Sequence, residues 1–205
     1  MLDSLAKHYL DDALAILRDY KRLAEGAFEQ LKDEEFFVVL DEESNSVGVL
    51  IKHLSGNMLS RWTDFLTTDG EKPDRNRDGE FELTNETSRG VLMEQWERGW
   101  RCVFGAIEPL QPEDLLRKIY IRGEEHTVLE AIMRQLTHYA YHTGQIVFLA
   151  KHLRSAEWKW LSIPRNRSSE FNAYLKEKNK EDGSTRAERF SSSLDFINRE
   201  GEKED

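Results

Sequence analysis

Four long segments of this chain repeat apolar residues at spacings of three and four. In the first segment the repeat is carried by Leu10, Leu14, Leu17, Ala24, Phe28 and Leu31. This period places apolar side chains along one side of an α-helix, and that side must be buried against other helices. The predicted helices cover about residues 2–31, 46–67, 86–107 and 127–153. The sequence therefore predicts an all-α fold, a four-helix bundle of which each helix contributes one face to a shared core.

The connections between these helices differ in length and composition. Residues 36–40 form a short apolar link, whereas residues 68–83 contain glycines, a proline and many charged residues. We expect the second connection to be an exposed loop whose acidic residues are solvated. Residues 118–124 are expected to form a short extended excursion that turns at Gly123. Simple up-and-down wiring with short loops is therefore not assured.

After the fourth helix the sequence becomes more polar, and we expect it to form a tail. Trp158 and Trp160 are close together, which predicts that this tail packs back on the bundle. A short helix is expected over residues 168–178. We expect residues 1–153 to form the bundle and residues 154–205 to be an extension of the same domain, with the last residues flexible.

Composition excludes several classes of protein. The formal net charge is −10, with 39 acidic and 29 basic side chains, so we expect no nucleic-acid surface. The single cysteine, Cys102, cannot form an intrachain disulfide, and we interpret it as a small core residue. The first residues lack a signal-peptide pattern, and no apolar run approaches the roughly 20 residues of a membrane span. These features predict a cytoplasmic protein without a membrane partner.

Two histidines in the fourth predicted helix have the spacing of metal ligands. His138 and His142 are four residues apart, so their rings lie on the same side of the helix, one turn apart. His53, in the second predicted helix, is the best candidate for a third ligand. Three imidazoles leave one zinc position free for water or substrate. The alternative is that these histidines only form hydrogen bonds between helices, as buried polar side chains commonly do.

Asn57 and Gln145 each lie near one of these histidines along its helix. Asn57 is one turn from His53, and Gln145 is one turn from His142. Either amide is expected to orient a ligand or a bound water, although ordinary polar packing would explain the same residues. His126 precedes the N-cap residue of the fourth helix and is interpreted as a structural or loop residue.

The three histidines and the residues that follow them resemble the pattern of a known family. His53 in the second helix, with the motif His138-x-x-x-His142-x-Gly-Gln-Ile in the fourth, resembles the DinB/YfiT-like superfamily of metal-binding four-helix bundles. Residues 161–165, followed by residues 168–172, are similar to one bacterial subgroup of that superfamily. The resemblance covers the bundle, and the tail supports the subgroup.

The resemblance implies a divalent ion, zinc or nickel, held by His53, His138 and His142. It also implies a homodimer. Some members of the superfamily are thiol S-transferases that use low-molecular-weight thiols such as bacillithiol or mycothiol, and others are isomerases that use them. The DNA-damage label refers to induction, which implies a stress response and no contact with DNA.

Three functional hypotheses follow. The first is a metal-dependent thiol S-transferase that conjugates a small-molecule thiol to a small electrophile, because a bound cation favours the deprotonated sulfur. The second is a metal-dependent hydrolase, in which the same ion activates water. The third is a non-catalytic stress-response bundle whose metal is structural. The sequence assigns no general base, and it does not separate the first two reactions.

Overall fold

Four long helices form the core of the protein, as the apolar repeats predicted. The computed structural model describes residues 2–181, 193 and 195–199. The bundle helices are α1 (Leu2–Phe28), α2 (Val47–Trp62), α3 (Arg89–Ile107) and α4 (Val128–Arg154). All four contribute to one hydrophobic core, whose largest fully buried side chains include Trp62, Trp96, Trp100 and Tyr139. The predicted all-α fold, a four-helix bundle with a C-terminal tail, is confirmed.

Side-chain caps fix where three of these helices begin. Ser46 and Ser88 accept hydrogen bonds from backbone N–H groups at the starts of α2 and α3. Thr127 and Glu130 form a reciprocal capping box at the start of α4. The predicted helices α1 and α2 extended past the observed ends, to about residues 31 and 67 instead of Phe28 and Trp62. The second helix ends at Trp62, because Thr63 is extended, with ψ of 121°, and Asp64 then adopts a left-handed conformation with φ of 47°.

Contacts between helices show that α1 and α4 run in the same direction. The Tyr9 hydroxyl, near the start of α1, donates to the Leu129 carbonyl near the start of α4, at 3.2 Å. Helix α3 runs opposite to α1, because Arg89 at its start donates to the Leu31 carbonyl just beyond the end of α1. The order of neighbours around the bundle is α1, α3, α2, α4.

Helix α2 runs parallel to α3 and antiparallel to α4. Leu92 of α3 lies against Gly48 of α2, and about two turns further along α3, Gly99 lies against Met58 of α2. Along α4, the order is reversed: Trp62 at the end of α2 donates to the Tyr139 hydroxyl, whereas His53 meets His142. The bundle therefore has up-down-down-up topology.

Residues 63–88 are the crossover that this topology requires between the parallel helices α2 and α3. Part of it contradicts the exposed-loop prediction, because Glu80 is only 6% exposed and its carboxylate lies against α2. The prediction was wrong because Glu80 is paired with Arg75 and His53, and paired charges can be buried. The crossover therefore covers one side of α2.

A β-hairpin precedes α4, where the sequence predicted an extended excursion. Strands β1 (Lys118–Ile121) and β2 (Glu124–Thr127) are antiparallel. Arg122 and Gly123 have φ of 57° and 74°, the positive values that a two-residue type I′ turn needs. The Asp69 carboxylate accepts hydrogen bonds from the backbone N–H groups of both turn residues, so the hairpin is tied to the crossover.

The tail returns to the bundle, as the tryptophan pair predicted. Leu161 contacts Gly26 of α1, and the Lys159 backbone exchanges two hydrogen bonds with the Gln30 side chain. Helix α5 (Ser168–Glu181) is three residues longer than expected. Phe196 packs against its aromatic side chains. The last residues, which we expected to be flexible, lie outside the described part of the chain.

No helix within the described residues has both the length and the apolar character that crossing a lipid bilayer demands.

Candidate metal centre

The antiparallel pairing of α2 and α4 brings three histidines together. The ring centroid of His53 lies 5.4 Å from that of His138 and 5.0 Å from that of His142, and the last two are 4.7 Å apart. One ligand atom from each ring can be chosen so that all three lie within 4.8 Å of one another. His53 and His142 are buried, and His138 is half-buried. Two segments distant in sequence thus form one cluster of nitrogen donors.

Two of the three rings are oriented by hydrogen bonds through Nδ1. His53 Nδ1 lies 2.9 Å from Glu80 Oε2, and His142 Nδ1 lies 2.7 Å from Gln145 Oε1. Carboxylate and amide oxygens only accept, so each Nδ1 carries a proton, and in the neutral imidazole the Nε2 then carries the lone pair that binds a metal. Metal-binding histidines commonly donate through their other nitrogen in this way.

The distance between two of the Nε2 atoms fits a bound cation. His53 Nε2 and His138 Nε2 are 3.4 Å apart. Two nitrogens bound to one tetrahedral zinc at about 2.0–2.1 Å are separated by about 3.3 Å. His138 Nδ1 is buried and has no hydrogen-bond partner among the described residues. The residues present therefore fit a divalent ion held by three imidazoles, which a fourth ligand from solvent or substrate would complete.

Burial favours the neutral form of His138 and His142. Desolvation by burial, together with the nearby His142 and His53, lowers the pKa of His138 to about 3. Burial also lowers the pKa of His142, against the opposing effect of its bond to Gln145. Neutral imidazole is the form that binds metal, so protons compete weakly for these two side chains at neutral pH.

Glu80 is part of a chain of charged side chains behind His53. Burial alone would raise its pKa, but hydrogen bonds from His53 and Arg75 lower it, so the carboxylate is charged. Arg75 donates to both oxygens of Glu80, at 2.7 and 2.9 Å, and also to Glu71 at 3.2 Å. The sequence analysis did not identify Glu80 or Arg75. The available signal was Gly56, a glycine inside an apolar helical pattern, which indicates a close approach.

Of the remaining candidate residues, Asn57 borders the histidine cluster, whereas His126 and Cys102 are not part of it. Asn57 lines the same cavity as His53, and its Oδ1 is buried without a partner among the described residues. His126 lies in β2 opposite Ile119 and is not part of the three-histidine cluster. Cys102 is a partly buried residue that packs against the core, and its Sγ is 3.5 Å from Thr63 Oγ1.

A cavity of about 590 Å³ borders the cluster. Its described lining residues include the three histidines and otherwise come from α2, α4, the crossover and the hairpin turn. A larger cavity of about 860 Å³ lies beside Glu80, but none of its described lining residues is a histidine or cysteine. The smaller cavity is the one from which a ligand can reach the imidazoles.

Comparison with known proteins gives one match. The model of the family described as Protein of unknown function (DUF1572) matches residues 4–167, which include the bundle and the three histidines. No curated protein and no solved structure matches the chain. Because the match spans most of the sequence, the chain belongs to the family described as Protein of unknown function (DUF1572).

Proposed function

We propose that this protein is a divalent-metal-dependent enzyme of the DinB/YfiT-like superfamily. The observation that carries the proposal is the convergence of the ligand atoms of His53, His138 and His142 within 4.8 Å. Their order along α2 and α4 agrees with the histidine pattern of that superfamily. The 3.4 Å separation of two Nε2 atoms favours a tetrahedral zinc site, with nickel as the alternative.

An open site favours catalysis over a purely structural metal. Structural zinc is usually closed by four protein ligands, whereas the described residues supply three here. The cavity borders the cluster and provides access for a fourth ligand. When bound, the cation would supply positive charge that stabilises a deprotonated sulfur or oxygen.

Within this class we propose thiol S-transfer as the reaction. The thiol proton leaves to solvent, the sulfur forms a bond to an electrophilic carbon, and the leaving group departs with the electron pair of its broken bond. No aspartate or glutamate is among the described residues that line the cavity. A hydrolase commonly uses such a carboxylate as general base, whereas a thiol of low pKa needs none. This observation favours the transferase over the hydrolase.

Elemental analysis tests the metal site. Protein purified without a metal-affinity tag should contain about one zinc or nickel ion per chain, and His142→Ala should lose it because two ligands are too few. The matched control is His152→Ala, an exposed histidine on the same helix, which should keep the ion. A metal-free wild-type protein, or a His142→Ala variant with full metal content, would refute the proposed site.

Activity measurements test the reaction. Metal-loaded protein, a panel of low-molecular-weight thiols and an alkyl halide should give conjugation faster than the uncatalysed rate, and a chelator should abolish the difference. Ester hydrolysis without conjugation would favour the hydrolase. Circular dichroism of the protein after chelation tests whether the metal is structural. A folded metal-free protein supports a catalytic metal, whereas global unfolding supports a structural one.

A further inference from the structure

The cavity beside the histidines has a strongly cationic wall. Five arginines line it, and we call them the arginine cluster: Arg61, Arg75, Arg77, Arg122 and Arg134. No acidic side chain is among the described lining residues. This concentration of positive charge stands in a chain whose formal net charge is −10. A concave surface of one sign concentrates ligands of the opposite sign.

Four members of the arginine cluster lie within 4.0 Å of a carboxylate among the described residues, and Arg134 is the exception. Arg75 pairs with Glu80 and Glu71, and Arg122 Nε lies 3.3 Å from the same Glu71. Arg77 lies 3.9 Å from an exposed aspartate and stacks over Phe81. The contact between Arg122 and Glu71 joins the hairpin turn to the crossover, and the contacts of Arg75 and Arg77 lie within the crossover. Arg134, together with the two unpartnered nitrogens of Arg61, therefore supplies the groups available to a ligand.

Arg61 is buried with most of its guanidinium unpartnered. Its side chain is 5% exposed, and its Nε and Nη1 have no hydrogen-bond partner among the described residues. Among the described residues, its one carboxylate contact is from Nη2 to Glu71 Oε2, at 3.7 Å. Burial lowers the pKa of this guanidinium, but arginine stays charged in proteins. A buried charge without full partners is costly, which indicates that a ligand completes it.

The second available arginine lies at the same end of the cavity. Arg134 is exposed, and its guanidinium makes no hydrogen bond or ion pair with the described residues, although its backbone carbonyl accepts from Thr137 Oγ1. It precedes His138 by one helical turn, whereas Arg61 follows His53 by two turns. Because α2 and α4 are antiparallel, both arginines lie beyond the histidines in the same direction.

Between the arginines and the histidines lie two amides whose oxygens have no partner. Asn57 Oδ1 and Gln135 Oε1 are buried and unpaired among the described residues, and both side chains line the cavity. Asn57 lies one turn from His53 and one turn from Arg61 on α2. The cavity thus has imidazole nitrogens at one end, unpaired amide oxygens in the middle and guanidinium groups with unpartnered N–H donors at the other end.

We propose that the cavity binds a small molecule with an anionic group, a carboxylate or a phosphate, which Arg61 and Arg134 hold while its reactive end lies at the three histidines. Guanidinium matches both oxyanions through paired N–H groups. The unpaired oxygens of Asn57 and Gln135 accept hydrogen bonds from hydroxyl or amide groups of the same molecule. The inference rests on the proposed metal site only for the placement of the reactive end.

Two matched thiols test the proposal. Cobalt(II)-loaded protein is titrated with 6-mercaptohexanoate and with 6-mercaptohexanol, which differ only in the carboxylate, and sulfur binding is followed by the sulfur-to-cobalt absorption band. The carboxylate thiol should bind at least about 10-fold more tightly, since charge-assisted hydrogen bonds are strong. Competition by acetate or by inorganic phosphate shows which oxyanion the arginines prefer. Equal affinities for the two thiols would overturn the proposal.

Variants locate the anion site. Arg61→Met should reduce the affinity for 6-mercaptohexanoate about 10-fold and leave that for 6-mercaptohexanol unchanged. Arg134→Met, at an exposed position, should act in the same direction and provides the test if Arg61→Met does not fold. The control is Arg101→Met on the exposed side of α3. An equal loss for both thiols in Arg61→Met and in Arg134→Met would show that the arginines are only structural.

The outcome can be separated from that of the metal proposal. If the protein binds no cobalt, the metal site fails, and calorimetry with succinate and inorganic phosphate then tests the arginines alone. Binding that Arg61→Met or Arg134→Met weakens would support the anion site without a metal. No binding of either anion to the wild-type protein would reject it.

Discussion

Glu80 determines how His53 presents its free nitrogen. The carboxylate accepts from His53 Nδ1 and is held in place by two bonds from Arg75. A fixed acceptor behind an imidazole sets its tautomer and increases its basicity toward a cation. The negative charge of Glu80, in the crossover, therefore affects the tautomer and the metal affinity of His53 in α2.

The substitution Glu80→Gln tests this role. It keeps the shape of the side chain but removes the negative charge, so we expect metal affinity to fall about 10- to 100-fold. Competition with a chelator of known affinity measures the change. Glu82→Gln, an exposed residue in the same segment, is the control and should leave the affinity unchanged. Equal affinities for Glu80→Gln and wild type would show that Glu80 does not tune His53.

The lowered pKa of His138 predicts how the metal-free protein responds to acid. In the unfolded chain this histidine takes up a proton near its ordinary pKa of 6.5, whereas in the folded protein it does so only near 3. Between these values the unfolded state binds more protons, so stability must fall as the pH falls. The urea midpoint of metal-free protein should therefore decrease from pH 7 to pH 5.

His138→Gln removes this titration and should flatten the pH dependence of the urea midpoint. Both proteins are compared without metal, because a bound ion would add its own competition with protons. An unchanged slope in the variant would contradict the assignment of the effect to His138.

At the residue level the sequence predicted the histidines but not their supporting charges. The spacing of His138 and His142 is a property of one helix, so it can be read directly from the chain. Glu80 is different, because its surrounding sequence has the composition of a solvated loop. Its burial depends on partners in other elements, and composition does not show which charges will be paired.

At the level of elements, apolar periodicity predicted each bundle helix, and its ends were less well determined. The Thr127 cap and its Glu130 partner form a local motif and were correctly assigned. The end of α2 depends on the backbone conformations of Thr63 and Asp64, for which the polar sequence there gave no clear stop signal.

Gly56 connects helix packing with the metal centre. A Cβ atom at this position would lie 2.7 Å from Glu80 Cδ, and Glu80 is held by its own bonds. We expect Gly56→Ala to displace the carboxylate from His53 and so to reduce metal affinity, as measured by the same chelator competition.

The control for Gly56→Ala is Gly105→Ala in α3, where an added Cβ meets no atom within 4 Å. This change should raise the free energy of unfolding by about 0.5–1 kcal/mol, because alanine favours helix more than glycine, without any effect on metal binding. Unaltered metal affinity in Gly56→Ala would mean that Glu80 adapts to the methyl group.

At the level of the whole molecule, the sequence indicated long connections but not the direction of each helix. Apolar stripes are satisfied by several arrangements of four helices, because burial does not depend on helix direction. Specific contacts such as Tyr9 with Leu129 establish the topology, and these involve partners far apart in the chain. The predicted four-helix bundle was therefore correct, whereas the directions of its helices could be determined only from the structure.

The homodimer that the superfamily resemblance implied remains a prediction, and α4 offers a surface for it. Met133, Tyr141 and Phe148 are 52%, 63% and 63% exposed and lie within an arc of about 80° on the helix. Large apolar residues grouped on one exposed face are typical of interfaces. We expect analytical ultracentrifugation to show a dimer for the wild-type protein.

Phe148→Glu should convert this dimer to a monomer, because a buried unpaired carboxylate is costly. Leu116→Glu, at a residue that is 76% exposed and outside α4, should not change the mass. A wild-type monomer, or a dimer that persists in Phe148→Glu, would reject this face as the interface.

The crossover between α2 and α3 is much longer than connectivity demands. Helix α2 has 16 residues, about 24 Å, and roughly eight extended residues would cover that length. Residues 63–88 exceed this about threefold, and the surplus carries Arg75, Arg77 and Glu80. A relative with a minimal connection at this point would keep the same scaffold and its histidines but lose the second layer of charges. Variation in the length of this one segment is thus a route by which chemistry can diverge while the architecture stays constant.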